Sequence, residues 1–195
     1  MSLSVNVGAI RKRIKRLPKI GDDLANTSSK RDALLLVKYY REGVGNGSFS
    51  LPSLQRQSIQ QKIKKGYTKP QNPLYGLGIE GRRTLSSTLR VYKTWQGWRV
   101  KWPNKRHHSS KITVAQLAYI HEHGLIIQKG NNIIRIPARP AFTMAYKRLV
   151  SEISSKDPST EVQRACAQYL MGNDSVTGDM MRQVQSMEAV YGTKD

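Results

Sequence analysis

The side chains able to do chemistry are few, and their spacing keeps most of them apart. His121-Glu-His123 has the composition of a metal motif. On a helix, side chains two positions apart point in directions ~200° apart, so the two imidazoles cannot meet one ion. The spacing of four that zinc proteases use is absent. His107 and His108 are neighbours in a basic stretch that repels cations. No metal site is expected. Cys166 falls between Ala165 and Tyr169 on the apolar side of a helical segment and reads as a small buried hydrophobe. As the single cysteine it also excludes an internal disulfide and a multi-cysteine zinc site. Carboxylate chemistry needs paired acids, but Glu80 and Glu122 are isolated, and Asp22 and Asp23 are expected to head a helix. No Gly-rich phosphate loop follows a strand, and no serine elbow is present. A nuclease would set an acidic metal cluster in a basic groove. Leu51–Ile112 instead carries Glu80 as its one acid among 14 bases. The expectation is a protein that is not an enzyme and needs no cofactor.

Binding is what the composition favours. The 195 residues hold 33 Lys and Arg against 13 Asp and Glu, a formal net charge of +20. The charge is uneven: residues 1–150 hold 29 bases and 6 acids, and residues 151–195 hold 4 bases and 7 acids. A basic body with a mildly acidic tail is either a solvated surface kept for solubility or a surface for an anionic partner, polyanion or protein. The cations that could face such a partner are Lys62, Lys64, Lys65, Lys69, Arg82, Arg83, Lys105, Arg106 and Lys111, with Arg90 and Lys93 beside them. Trp95, Trp98, Trp102 and Tyr92 near Arg90, Arg99 and Lys101 resemble a stacking platform for single strands. The alternation argues otherwise. Trp98 and Trp102 fall opposite Arg99 and Lys101, on the side that should pack a core. Arg139 is flanked by stiffening prolines. It either holds a defined hydrogen bond or ion pair, or simply belongs to a strand-to-helix link.

The elements that must position these residues follow from periodicity. Ile10, Ile14 and Leu17 mark a short basic amphipathic helix over Val5–Lys19, best read as docking on its own domain. A second helix is expected over Asp22–Gly43, with a weak point at Asn26–Lys30, and Gly43, Gly45 and Gly47 are expected to stop it. Leu51–Gly66 is helical, and Gly66–Gly81, rich in Gly and Pro, is a long loop expected to order on contact with a partner. A strand is expected from Leu85 to Tyr92, then a turn at Thr94–Gly97 and a return strand through Trp98, Val100 and Trp102. Thr113–Glu122 is a helix ended by Gly124. Leu125–Ile127 and Ile133–Ile136 flank the turn Lys129-Gly-Asn-Asn132. Ile136-Pro-Ala-Arg-Pro140 is an extended link into a helix over Ala141–Ile153. Asp157 and Pro158 begin the first of two tail helices. The fold expected is α+β, with N-terminal helices in 1–50, a small antiparallel one-sided sheet packed by a long helix in 51–156, and C-terminal helices in 157–195. No apolar run reaches the ~18 residues that span a bilayer, and Met1–Ile20 turns basic too early for a signal peptide. A soluble protein made inside the cell is therefore expected.

Two segments carry a family resemblance. Ala118-Tyr-Ile-His-Glu-His-Gly124, a short hairpin, Ile136-Pro-Ala-Arg-Pro-Ala-Phe142 and a following helix together resemble the tail-completion and virion-morphogenesis family of long-tailed phages. There a helix ending in "E-x-G" precedes an "I-P-A-R-P-F" segment. Upstream, Leu51, Leu54, Ser58, Lys62, Gly66, Pro73 and Leu74 look like the family's "P-L-S…T…K…G…P-L" stretch. The likeness covers roughly Leu51–Val150. It departs where Ala141 precedes Phe142 and where Glu80-Gly-Arg-Arg83 stands for "T-G-x-L". The motif positions are His121, Glu122, Gly124, Ile136, Pro137, Arg139, Pro140 and Phe142. The resemblance implies a structural virion protein, made in the host cytoplasm and placed at the head–tail junction. It implies a hexameric ring that meets head-closure, terminator, tube or sheath proteins and touches genomic DNA without sequence preference, with no membrane partner. The alternative on composition is a basic nucleic-acid-binding protein.

Overall fold

The computed structural model describes residues 7–67, 69–72, 74, 85–106, 111–156 and 158–192. Glu80, Arg82, Arg83, His107, His108, Asp157 and much of the Gly66–Gly81 loop lie outside the described residues.

The first element, α1, runs unbroken from Val7 to Asn46. Two helices were expected here. Pro18 and Gly21 stand inside the single helix, and at ~1.5 Å per residue it extends about 60 Å. A proline inside a helix costs roughly 3 kcal/mol. What offsets it is packing on both sides of Pro18. Before Pro18, the Arg13 guanidinium donates to the Tyr169 carbonyl (2.5 Å) and pairs with Asp174 (3.0 Å). After it, Leu24 and Ser28 are buried and Arg31 forks onto Glu161 through bonds of 2.7 and 2.9 Å. Asp22 and Asp23 consequently sit in mid-helix rather than at a helix start. Gly43 does not stop the helix either. The Phe49 ring occupies the place a Cβ there would take, so glycine serves close packing. Two carbonyls of the last turn are met by side chains: Asn72 donates to Val44 O (3.5 Å) and Gly45 O (3.3 Å), and Lys69 Nζ donates to Gly45 O (2.6 Å).

Short α2 (Arg56–Lys64) follows, then α3 (Leu85–Thr88). The strand expected from Leu85 starts only at Arg90, because Arg90 already pairs with Lys101 and Pro103 closes the partner strand. With no strand opposite, the segment coils into a helical turn whose carbonyls are taken by Trp102 Nε1 on Leu85 O (2.9 Å) and by Arg41 on Ser86 O and Leu89 O (3.4 and 3.3 Å). Strands β1 (Arg90–Thr94) and β2 (Gly97–Lys101) form an antiparallel hairpin. Val91, Val100 and Trp102 pack inward against the main core, while Arg99 and Lys101 stay exposed. Helix α4 (Val114–His123) leads into the second hairpin, β3 (Leu125–Lys129) and β4 (Asn132–Ile136). Helices α5 (Ala141–Lys156), α6 (Pro158–Leu170) and α7 (Val176–Tyr191) complete the α+β fold.

The main core joins Leu36, Val37, Tyr40 and Val44 of α1 to Leu89 and to Ala141, Ala145 and Leu149 of α5, with Tyr191 of α7 against it. The alanines let α5 approach α1 closely. Residues of all three sequence segments therefore share one core. Tyr40, Trp102 and Phe142 meet in tilted and edge-on pairs at 5.3–6.3 Å between centroids. Three acids of the tail turn inward on the same chain: Glu161, Asp174 and Glu188 pair with Arg31, Arg13 and Lys30 of α1. No helix among the described residues is long and apolar enough to cross a membrane.

Candidate functional site

The residues marked by the motif come together as a clasp that holds the β3–β4 hairpin. Helix α4 starts on a reciprocal cap. Thr113 Oγ1 accepts from the Gln116 backbone (3.2 Å), and Gln116 Oε1 accepts from the Thr113 backbone (2.8 Å). It ends at Gly124, whose φ is +76°. A Cβ at Gly124 would lie 2.9 Å from both Ala138 N and Ile136 O, so the position needs glycine for its conformation and for the close approach of the returning link. That link is tied to α4 by the Arg139 N–H donating to His121 O (2.5 Å).

Glu122 then reaches across to α5. Its carboxylate accepts from the backbone N–H of Phe142 (3.1 Å) and Thr143 (2.8 Å). Helix α5 has no acid in its own first turn, so a residue 20 positions upstream supplies the anion that its N-terminus favours. Arg139 is only 5% exposed. Its guanidinium donates to Pro52 O (3.2 Å) and Ser53 O (3.5 Å), fastening the segment before α2 to the clasp. Burial pulls the Arg139 guanidinium below its ordinary range.

The basic candidates are not one surface. Lys62 is half-buried beside the clasp and donates to Asn72 O (2.7 Å). Burial, and then the charge of Arg139, bring its ammonium down to about 8. Lys69 holds the end of α1. Lys64, Lys65, Lys105, Arg106 and Lys111 are exposed, with Arg106 bridged to Thr113. Arg82 and Arg83 lie outside the described residues. His121 and His123 part as helical spacing requires. His123 is exposed and stacks on Tyr119 at 4.3 Å. His121 Nδ1 is buried with no hydrogen-bond partner, and burial, followed by Arg139 and Lys62, lowers the imidazole to about 4. It is neutral near pH 7. Among the described residues no three His, Cys, Asp or Glu gather as metal ligands. Trp98 is tied to Asn26 (3.0 Å) with Lys30 over its ring, and Trp102 is in the core, so neither offers a stacking face for a base. Trp95 alone stands out at the turn, 91% exposed.

The hairpin that the clasp presents is bare. Leu125 pairs with Ile136 and Ile127 with Ile134, which makes one face aliphatic; Ile126 and Ile133 stand on the other face with Arg135 and Gln128. Leu125, Ile126, Ile127, Ile133 and Ile134 are 36–69% exposed. A lone hairpin has marginal stability in water, and the clasp is what fixes this one. The strands were expected from the sequence, but their exposure was not. The missed signal is the lack of alternation in Leu125-Ile-Ile127 and Ile133-Ile134, which leaves apolar side chains on both faces of a ribbon that has only two strands. Comparison with family models, curated proteins and solved structures gives no match.

Proposed function

We propose that this chain is a non-catalytic structural protein of the phage head–tail junction, a neck, tail-completion or tail-terminator component that forms a ring and mediates tail assembly and head–tail joining. The observation that carries this reading is the hairpin. Arg139, Glu122 and Gly124 give it a rigid mount, while Leu125, Ile126, Ile127, Ile133 and Ile134 are left 36–69% exposed. Contiguous exposed apolar surface of this kind marks a partner surface. The motif residues thus act as the mount of an assembly device, which fits the structural role that the family resemblance implies. The test is mass spectrometry and cryo-electron microscopy of purified particles. The expected result is stoichiometric protein in a ring at the neck, and absence from particles would sink the proposal.

A second reading, binding to nucleic acid, has its own observation. Arg11, Lys12, Lys15, Arg16 and Lys19 are exposed in succession along the first turns of α1. Such a row suits phosphates without reading bases. It predicts binding to duplexes of any sequence, with affinity falling linearly on a log–log plot against salt. No binding at low salt removes it.

A further inference from the structure

The hairpin is one half of a contact, and the other half lies on the same chain. A cleft of about 470 Å³ opens between α1, α5, α6 and α7. Leu35, Ile153 and Met187 give it apolar walls. Three carboxylates line it, Asp32, Glu152 and Glu161, against two guanidiniums, Arg31 and Arg164. Beyond Glu161 and Arg164 it continues as a shallower groove along α6 and α7, past Ala165, Val176 and Met180. On a chain of net charge +20, a cleft in which acids outnumber bases among the described lining residues is out of character. Glu161 is bonded to Arg31 and Glu152 to the Tyr39 hydroxyl, so the acids are held in place rather than loose. Their field is still felt. Burial raises the Asp32 carboxyl above its ordinary range despite the pull of Arg31, and Glu161 and Glu152 add to the rise.

The hairpin is complementary on each count. It is narrow, aliphatic on both faces, and carries Arg135 and Lys129 with no acid between Leu125 and Ile136. A flat patch would cover one of its faces; a cleft can cover both. It cannot serve its own cleft without leaving its mount. The hairpin joins α5 at the end pinned by Glu122, whereas Glu152 and Ile153 belong to the last turns of α5, about 18 Å along the axis. Donor and acceptor at opposite ends of one helix make a contact that propagates head to tail, the type that closes into rings.

We propose that the β3–β4 hairpin of one copy docks in the α1/α5/α6/α7 cleft of the next, with Arg135 directed to the carboxylates that line it. The idea deepens the assembly reading above and rests on its ring for a setting, but its test is separate. Analytical ultracentrifugation of the full chain is run on three proteins: wild type, the hairpin variant Ile127→Ser/Ile134→Ser, and the cleft variant Met187→Lys. Gln183→Arg, an exposed cleft position, stands in if Met187→Lys changes the circular dichroism. Wild type is expected to oligomerise, and each variant alone to raise the dissociation constant at least tenfold. An equimolar mixture of the two variants is expected to give a heterodimer and nothing larger, since one supplies an intact cleft and the other an intact hairpin. The proposal is overturned by a wild type that stays monomeric, by oligomers that survive either variant, or by a mixture that gives no heterodimer, as hairpin-to-hairpin pairing or a different partner protein would produce. Oligomers that pass this test in a protein missing from particles would leave the contact standing and sink the virion role alone.

Discussion

Two ends of α5 show what this chain does with surface. At its C-terminal end, α1, α6 and α7 close around it, and opposite charges from distant parts of the sequence are matched: Arg31 with Glu161, Lys30 with Glu188, Arg13 with Asp174. At its N-terminal end, a clasp of hydrogen bonds holds out a hairpin with five large aliphatic side chains 36–69% exposed. The first region spends its apolar residues on folding, and the second holds them in reserve. A monomer gains nothing from the reserve, since exposed aliphatics contribute no burial. The contrast locates stability in α1 and its neighbours, and sets apart the hairpin as the exposed half of the contact proposed above.

The sharpest way to break that contrast is to attack the core. Tyr40 is almost fully buried between Trp102 and Phe142. Tyr40→Ala removes both ring contacts and leaves a cavity, and about 3–5 kcal/mol of stability should go with them. Chemical denaturation measures this directly. A loss under ~1 kcal/mol would mean that the aromatic cluster does not hold the β1–β2 hairpin and α5 to α1.

A second effect comes from His121, which sits in the clasp between the two regions. Its imidazole is lowered to about 4 from 6.5, so the unfolded chain binds this proton more readily than the folded one. Stability from this group is complete above pH 6.5 and falls as pH drops from 6.5 toward 4. The loss should approach about 3 kcal/mol, and His121→Gln should flatten that part of the pH–stability curve. An unchanged slope in the variant would show that His121 is solvated. Next in size is Glu122→Gln, which keeps the shape and removes the charge at the start of α5. It should cost about 1 kcal/mol in thermal or chemical unfolding, and an effect near zero would mean that water caps α5 equally well.

How much of this could be read from the residues differs between the regions for a physical reason. The β1–β2 hairpin, α4, the second hairpin and α5–α7 were legible because each announces itself locally, by alternation, a cap or a helical stripe. Continuity of α1 through Pro18 and Gly21 was not, since it depends on Tyr169, Asp174 and Glu161 arriving from the far end of the chain. The helical turn at Leu85 was hidden too, because it results from where the partner strand stops at Pro103. At the clasp, Arg139 stood out between its prolines, but its acceptors on Pro52 and Ser53 lie 86–87 positions away. Glu122 looked isolated for the same reason, its two donors belonging to another helix. The charge asymmetry was legible as a count and misleading as a surface. Three of the tail's acids, Glu161, Asp174 and Glu188, are engaged by α1 of the same chain.

The smallest expected effect tests the other side of the contrast. In the unassembled chain Ile126 is 69% and Ile134 50% exposed. Replacing both with serine removes apolar area that water already reaches, so little burial is lost. What remains is the lower strand preference of serine, a few tenths of a kcal/mol on a ribbon of this kind. Ile126→Ser/Ile134→Ser should therefore shift unfolding by no more than about 0.5 kcal/mol while lowering any tendency to aggregate, because each serine withdraws surface that another molecule could cover. Denaturation run at low protein concentration separates the two quantities, since self-association stabilises by mass action and fades on dilution. A loss of ~2 kcal/mol or more at low concentration would mean that the hairpin packs on its own chain, and the division between a folding region and an interaction region would fail. A negligible loss, set beside a collapse of stability in Tyr40→Ala, would mean that the clasp alone keeps the hairpin in place and that its aliphatic faces are held for contact rather than for folding.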